Sequence, residues 1–154
     1  MLLYRKTNEE VSEQAQACLE SQGYQVIPIS YGSYTQAQFK EALELCKFAV
    51  FISFSESQGI ALAEAWGMDV PTLVWNPKQS FTFSGYLYEN VSSSPYLNSF
   101  VGKDWIKIDE LEALLLQFDE LAKDFQPRRW VLLHMTDKRS IEQLLVQLRN
   151  VSEQ

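Results

Sequence analysis

One histidine, two cysteines and six glycines are few for 154 residues, and each shortage removes a class of chemistry. His134 stands alone, which excludes catalytic histidine pairs and multi-histidine metal centres. It lies between Leu133 and Met135 and reads as a structural residue. Cys18 and Cys46 sit far apart inside helical patterns, without CxxC or metal-ligand spacing. They read as small buried apolar residues in a reducing compartment. The glycines form neither GxGxxG nor a phosphate-binding loop, and HExxH and Asp-x-Asp pairs are also missing. No metal and no cofactor is expected. Positive charge is scarce: 13 Lys and Arg against 20 Asp and Glu leave a net charge of -7. That argues against nucleic acid or an anionic membrane as partner, since both need clustered cations. No apolar run approaches the ~20 residues that cross a bilayer. The four residues ahead of Arg5-Lys6 are too few for the apolar region of a signal peptide. A cytoplasmic protein is expected, in which the triplets Asn90-Val91-Ser92 and Asn150-Val151-Ser152 carry little weight as glycosylation sites.

What is present suits one folded domain over residues 1–154: 46% of residues are hydrophobic and 21% charged. Residues 2–5 read as a short strand. Thr7 or Asn8 can cap the helix that follows, with Glu9 and Glu10 in its first turn. Val11, Ala15, Cys18 and Leu19 recur at helical spacing until Gly23 stops the pattern. A second strand is predicted over 24–29, at a sheet edge because Pro28 has no N–H to donate. Tyr31-Gly32-Ser33-Tyr34 reads as a turn, and Thr35 as the cap of a helix carrying Phe39, Ala42, Leu43 and Cys46. Residues 48–54 and 70–75 are almost continuously apolar, the mark of strands covered on both faces. Between them a short helix is predicted over 56–66, closed by Gly67. Residues 76–104 read as one long irregular connection, a kind of segment that is usually functional or mobile. A last strand over 105–108, a helix over 110–125 broken by Pro127, and a terminal helix over 140–148 complete the pattern. Strands alternating with helices specify an α/β, doubly wound, Rossmann-like parallel sheet of five strands in order 2-1-3-4-5, with helices on both faces.

The segment from Ser53 to Pro71 stands out. It follows the carboxyl end of the third strand, where open parallel sheets bind their ligands. Ser55 and Gln58 fit a capping box. Gly59 then falls in the first helical turn, where a missing side chain lets an anion approach free N–H groups and the positive dipole end. On one helix, Glu56 and Glu64 would lie ~12 Å apart along the axis and ~80° apart around it. The hexose and ribose of a nucleotide diphosphate sugar are separated by a distance of that order, with the pyrophosphate between them. The same spacing also fits a Glu56 that only complements the dipole and a Glu64 that is merely solvated.

Residues 56–64 resemble the E-x7-E motif of retaining GT-B glycosyltransferases, especially the sucrose-synthase and mannosyltransferase-like family. Matching context is supplied by Ser53 or Ser55, Gly59, Glu64-Ala65, and Gly67 with Pro71. The stretch Gly67-Met68-Asp69-Val70-Pro71 departs from the family's more usual Gly-x-Pro. The resemblance covers roughly residues 1–150 and is strongest over 48–75. It implies the C-terminal, donor-binding lobe, with a nucleotide diphosphate sugar as ligand. It further implies that Glu56 contacts the donor sugar as catalytic residue and that Glu64 holds the ribose. Ser57, Gln58, Gly59 and Ile60 would face the diphosphate. Arg5 and Lys6, at an early strand end, would neutralise it, although the family normally spaces its two cations several positions apart. An ordinary solvated strand end is the other reading of that pair. Tyr31 or Tyr34 could stack on a nucleobase, and Arg128-Arg129-Trp130 would tie the closing helix down. An acceptor lobe would have to come from a partner protein; a homo-oligomer is a further expectation. The alternative is a non-catalytic nucleotide- or protein-binding α/β module. A receiver-like domain is disfavoured, because the strand ends carry Arg5, Ser30 and Ser53 in place of an acidic cluster.

Overall fold

The structure, a computed structural model, describes residues 1–152. Five parallel strands form one sheet: β1 (Leu2–Arg5), β2 (Ile27–Ser30), β3 (Ala49–Ile52), β4 (Thr72–Trp75) and, after a separate hairpin, β7 (Gly102–Trp105). Their spatial order is β2-β1-β3-β4-β7, which is the expected 2-1-3-4-5 once the hairpin strands are set aside. The hairpin pairs β5 (Phe81–Phe83) with β6 (Tyr86–Tyr88) antiparallel, inside the segment expected to be irregular throughout. The helices are α1 (Glu9–Ser21), α2 (Gln36–Glu44), α3 (Ile60–Gly67), α4 (Ile108–Leu116), α5 (Phe118–Leu121), α6 (Pro127–His134) and α7 (Asp137–Ser152).

Strand side chains alternate between two faces, and here both faces are covered. Leu3, Val50, Ile52 and Leu73 pack with α1, α4 and α5 through Ala15, Leu19, Leu111, Leu115 and Phe118. Leu2, Tyr4, Phe51 and Val74 pack with α2, α3 and α6 through Phe39, Leu43, Leu62, Trp66 and Trp130. The central strands β3 and β4 are therefore buried end to end. Strand β2 alternates half-buried with exposed residues, as befits an edge, and exposed Pro28 sits there opposite Leu3.

Several boundaries differ from the sequence expectation, each for a physical reason. Asn8, not Thr7, caps α1: its carboxamide accepts the Val11 N–H at 3.0 Å. The second strand begins at Ile27 and runs through Ser30, so residues 24–26 lie outside it. The last strand is Gly102–Trp105, three residues earlier than expected, because the Glu110 carboxylate accepts the Ile106 and Lys107 N–H groups and starts α4 at Ile108. The expected helix over 110–125 divides into α4 and α5. Pro127 opens α6 rather than ending a helix, since the first turn needs no N–H from it. The terminal helix is longer than residues 140–148. Among the described residues, no helix is long and apolar enough to cross a membrane.

Candidate functional site

The site is built at the carboxyl edge of β1 and β3. Beyond β3 the chain does not enter a helix at Glu56, as the capping-box reading of Ser55 and Gln58 required. α3 begins at Ile60, and its N-cap is Gly59 with φ 70° and ψ 52°. Tertiary contacts hold the intervening loop. The Glu56 N–H donates to the Ser92 carbonyl at 2.9 Å, and the Ser93 hydroxyl donates to the Phe54 carbonyl at 3.2 Å. Asn76, only 5% exposed, accepts the Ser93 N–H and donates to Asp104, so the 76–104 connection is braced underneath the site loop. The helical spacing argued for Glu56 and Glu64 thus does not apply, because Glu56 precedes the helix.

Both carboxylates nevertheless line one cleft, of about 330 Å³. Ser57, Gln58, Gly59, Ile60 and Lys6 line it too. Arg5 does not. Successive strand residues point to opposite faces, so Lys6 reaches the cleft on the α2–α3 face while Arg5 turns to the other and bonds Gln16 of α1. Lys6 Nζ lies 2.8 Å and 2.9 Å from the two Glu56 oxygens, and the Ser53 hydroxyl donates to Glu56 Oε1 at 2.8 Å. Both partners are largely buried, with side-chain exposures of 27% for Lys6 and 15% for Glu56. Lys6 also sits 4.9 Å from the centre of the Tyr31 ring, within cation–π range. The Glu64 carboxylate makes no hydrogen bond or ion pair among the described residues, and the residue is half-buried in the second turn of α3.

No side chain caps α3. The first intrahelical bond is the Ala63 N–H to the Gly59 carbonyl at 3.0 Å, which leaves the N–H groups of Ile60, Ala61 and Leu62 free of helical partners. The cleft therefore combines an open helix N-terminus, one cation, and two carboxylates. Gly59 is required by its conformation: its positive φ disfavours any side chain, and an added Cβ would come within 3.0 Å of Leu62.

Sequence reading had Ser53 only as motif context and missed Gln36 and Tyr4. The Ser53 hydroxyl orients Glu56, Gln36 enters from the first turn of α2, and Tyr4 forms the floor. Tyr4 is 3% exposed, and its hydroxyl lies 3.2 Å from that of Tyr34. Burial first, then the Tyr34 hydroxyl, holds the Tyr4 phenol well above the ordinary range. The neutral phenol is thus favoured by folding. Its stabilisation is complete below the unfolded value of about pH 10 and is lost as pH rises above it toward the folded value. In an alkaline absorbance titration, at least one of the seven tyrosines is expected to ionise only as the protein unfolds. Tyr4→Phe should delete that late component; seven tyrosines titrating together in the folded state would contradict it.

No protein-family model matches this chain, nor does a curated protein or a solved structure. The chemistry of the cleft must be read from its own residues. Among the described residues, no group of three or more His, Cys, Asp or Glu side chains is placed to hold a metal ion. His134 is exposed, tilted against Trp130 at 5.1 Å between ring centres, and outside this cleft. Cys18 and Cys46 are free and half-buried, and burial pushes both thiols up, away from reactive thiolate. Arg128 meets the expectation of a tie in one respect: its backbone N–H donates to Asp69 at 3.1 Å, anchoring α6 beside α3.

Proposed function

We propose that the chain is a glycosyltransferase-like donor lobe that binds a nucleotide diphosphate sugar and transfers its glycosyl group once an acceptor lobe closes the cleft. One observation carries this reading: the Lys6–Glu56 pair stands in the same cleft as the uncapped N-terminus of α3. A helix N-terminus and a lysine are the two elements that neutralise a diphosphate without further machinery. Glu56 then offers acceptor oxygens to sugar hydroxyls, and unpartnered Glu64 offers them to ribose hydroxyls. Tyr31, 60% exposed beside Lys6, presents a face on which a base can stack.

In this reading Glu56 is the catalytic residue, contacting the sugar at the bond that breaks. Lys6 and the α3 amides stabilise the charge that develops on the departing diphosphate, an effect that grows when water is excluded. The acceptor side of the cleft belongs to a second lobe or partner chain. Transfer by this chain alone is therefore expected to be slow.

The test is titration calorimetry of uridine, guanosine and adenosine diphosphates and their sugar conjugates, in chelator and without divalent metal. At least one pair should bind, the conjugate more tightly than the bare diphosphate. Absence of binding by every nucleotide, or binding only when magnesium is restored, would overturn the reading. Binding without transfer, even in the presence of a partner carrying an acceptor lobe, would assign the chain to the rival class of non-catalytic nucleotide-binding modules.

A further inference from the structure

The C-terminal helix is exposed on nearly every side, its apolar stripe included. In α7, Ile141, Leu144, Leu145, Leu148 and Val151 are 56%, 54%, 48%, 57% and 71% exposed. Positions 141, 144, 148 and 151 follow the alternating three-and-four spacing of an apolar seam. On a helix with 3.6 residues per turn they share one face with Leu145. The other side of the helix, with Arg139, Glu142, Gln143, Val146 and Gln147, borders an open cleft against α6; of these only Glu142 is half-buried, and Val146 is itself 55% exposed. An amphipathic helix ordinarily buries its apolar stripe against its own domain. This helix presents mostly polar residues to α6 and leaves the stripe outward.

Charge on the stripe's borders says what covers it. One border carries Lys138, Glu142 and Arg149, while the other carries the uncharged Ser140 and Gln147. A parallel pair of such helices would set the charged border of each against the uncharged border of the other. An antiparallel pair sets the charged border against itself, reversed in direction. Glu142 of one copy then lies beside Arg149 of the other, and the relation holds twice about the two-fold axis. The apolar layers agree in the same register: Ile141 meets Val151, Leu144 meets Leu148, and Leu145 meets its own copy near the axis. Within its own helix Glu142 bridges Arg139 at 2.8 Å, but both are nearly half exposed, so that bond is weak and leaves the carboxylate open to a second cation. An anionic membrane is a poor occupant for a chain of net charge -7.

We propose that two copies of this chain associate through α7 as an antiparallel, isologous helix pair. This inference is independent of what the Glu56 cleft binds. A helix of 16 residues is ~24 Å long, so the seam is short and the dimer depends on concentration.

Sedimentation of the full chain over a concentration series tests it. A reversible monomer–dimer equilibrium is expected, and Leu148→Glu should give monomer throughout with unchanged circular dichroism. Glu142→Arg and Arg149→Glu should each weaken the dimer roughly tenfold, because each swap creates two like-charge contacts. The double variant should recover most of the loss. A monomer throughout the series, which would leave the stripe to a different partner or a lipid surface, overturns the proposal. So does a dimer indifferent to Leu148→Glu, or a double variant whose losses add.

Discussion

Gly102→Ala is expected to destabilise the fold by about 3 kcal/mol or more, a large share of the ~5–15 kcal/mol that holds a domain together. Gly102 opens β7 and pairs with Thr72 of β4. A Cβ built there would lie 1.9 Å from the Thr72 carbonyl oxygen and 2.9 Å from its hydroxyl. The obstruction is backbone inside a buried ladder, so no rotamer change relieves it. Relief would require β7 to move away from β4, and that would break the ladder and the seat of Trp105. Both sheet faces share these strands, so the loss spreads to both core clusters. For a chain of this size the midpoint of thermal melting should fall by roughly 6–12 °C. Gly67→Ala is the matched control: nothing lies within 4 Å of its added Cβ, and its φ is not positive. Alanine there should be neutral or stabilising by up to ~1 kcal/mol. Equal melting of the two variants would show that β7 does not approach β4 as described.

The second large effect separates the charged groups of the cleft by ligand. Glu64→Gln should weaken a nucleoside diphosphate and its sugar conjugate alike, because both contain the ribose. The loss is expected at roughly 10- to 150-fold, the ~1.5–3 kcal/mol of a charge-assisted hydrogen bond. Lys6→Met should likewise weaken both, through the diphosphate. Glu56→Gln should behave differently, since it removes the hydroxyl acceptor and releases Lys6 from its ion pair at the same time. The conjugate should lose its advantage, while bare diphosphate binds equally well or more tightly. Lys6→Met strands a largely buried carboxylate, so that variant must first be shown folded. Equal losses for both ligands in Glu56→Gln would refute its assignment to the sugar. No loss in any variant would return Glu56 and Lys6 to a purely structural pair.

How far these residues could be read without coordinates depended on whether local pattern or long-range contact decided them. The nearly continuous apolar runs at 48–54 and 70–75 marked two buried central strands, because a parallel sheet sandwiched by helices leaves no polar face. Pro28 fixed an edge, because a residue without an N–H cannot serve a two-sided ladder. Thr35 was legible as the cap of α2, and in the structure Gln38 completes a capping box with it. The similar spacing of Ser55 and Gln58 formed none. There the competing bonds come from far along the chain, from Ser92 to the Glu56 N–H and from Lys6 to its carboxylate, and sequence distance hides them. Strand alternation alone could have separated Arg5 from Lys6, whereas the pairing of Lys6 with Glu56 required β1 and β3 to be neighbours. For α7 the sequence reading gave only a helix over 140–148, and its apolar stripe runs on to Val151. That it faces outward was decided by tertiary packing, because α6 occupies the space beside α3 and meets α7 on its polar side.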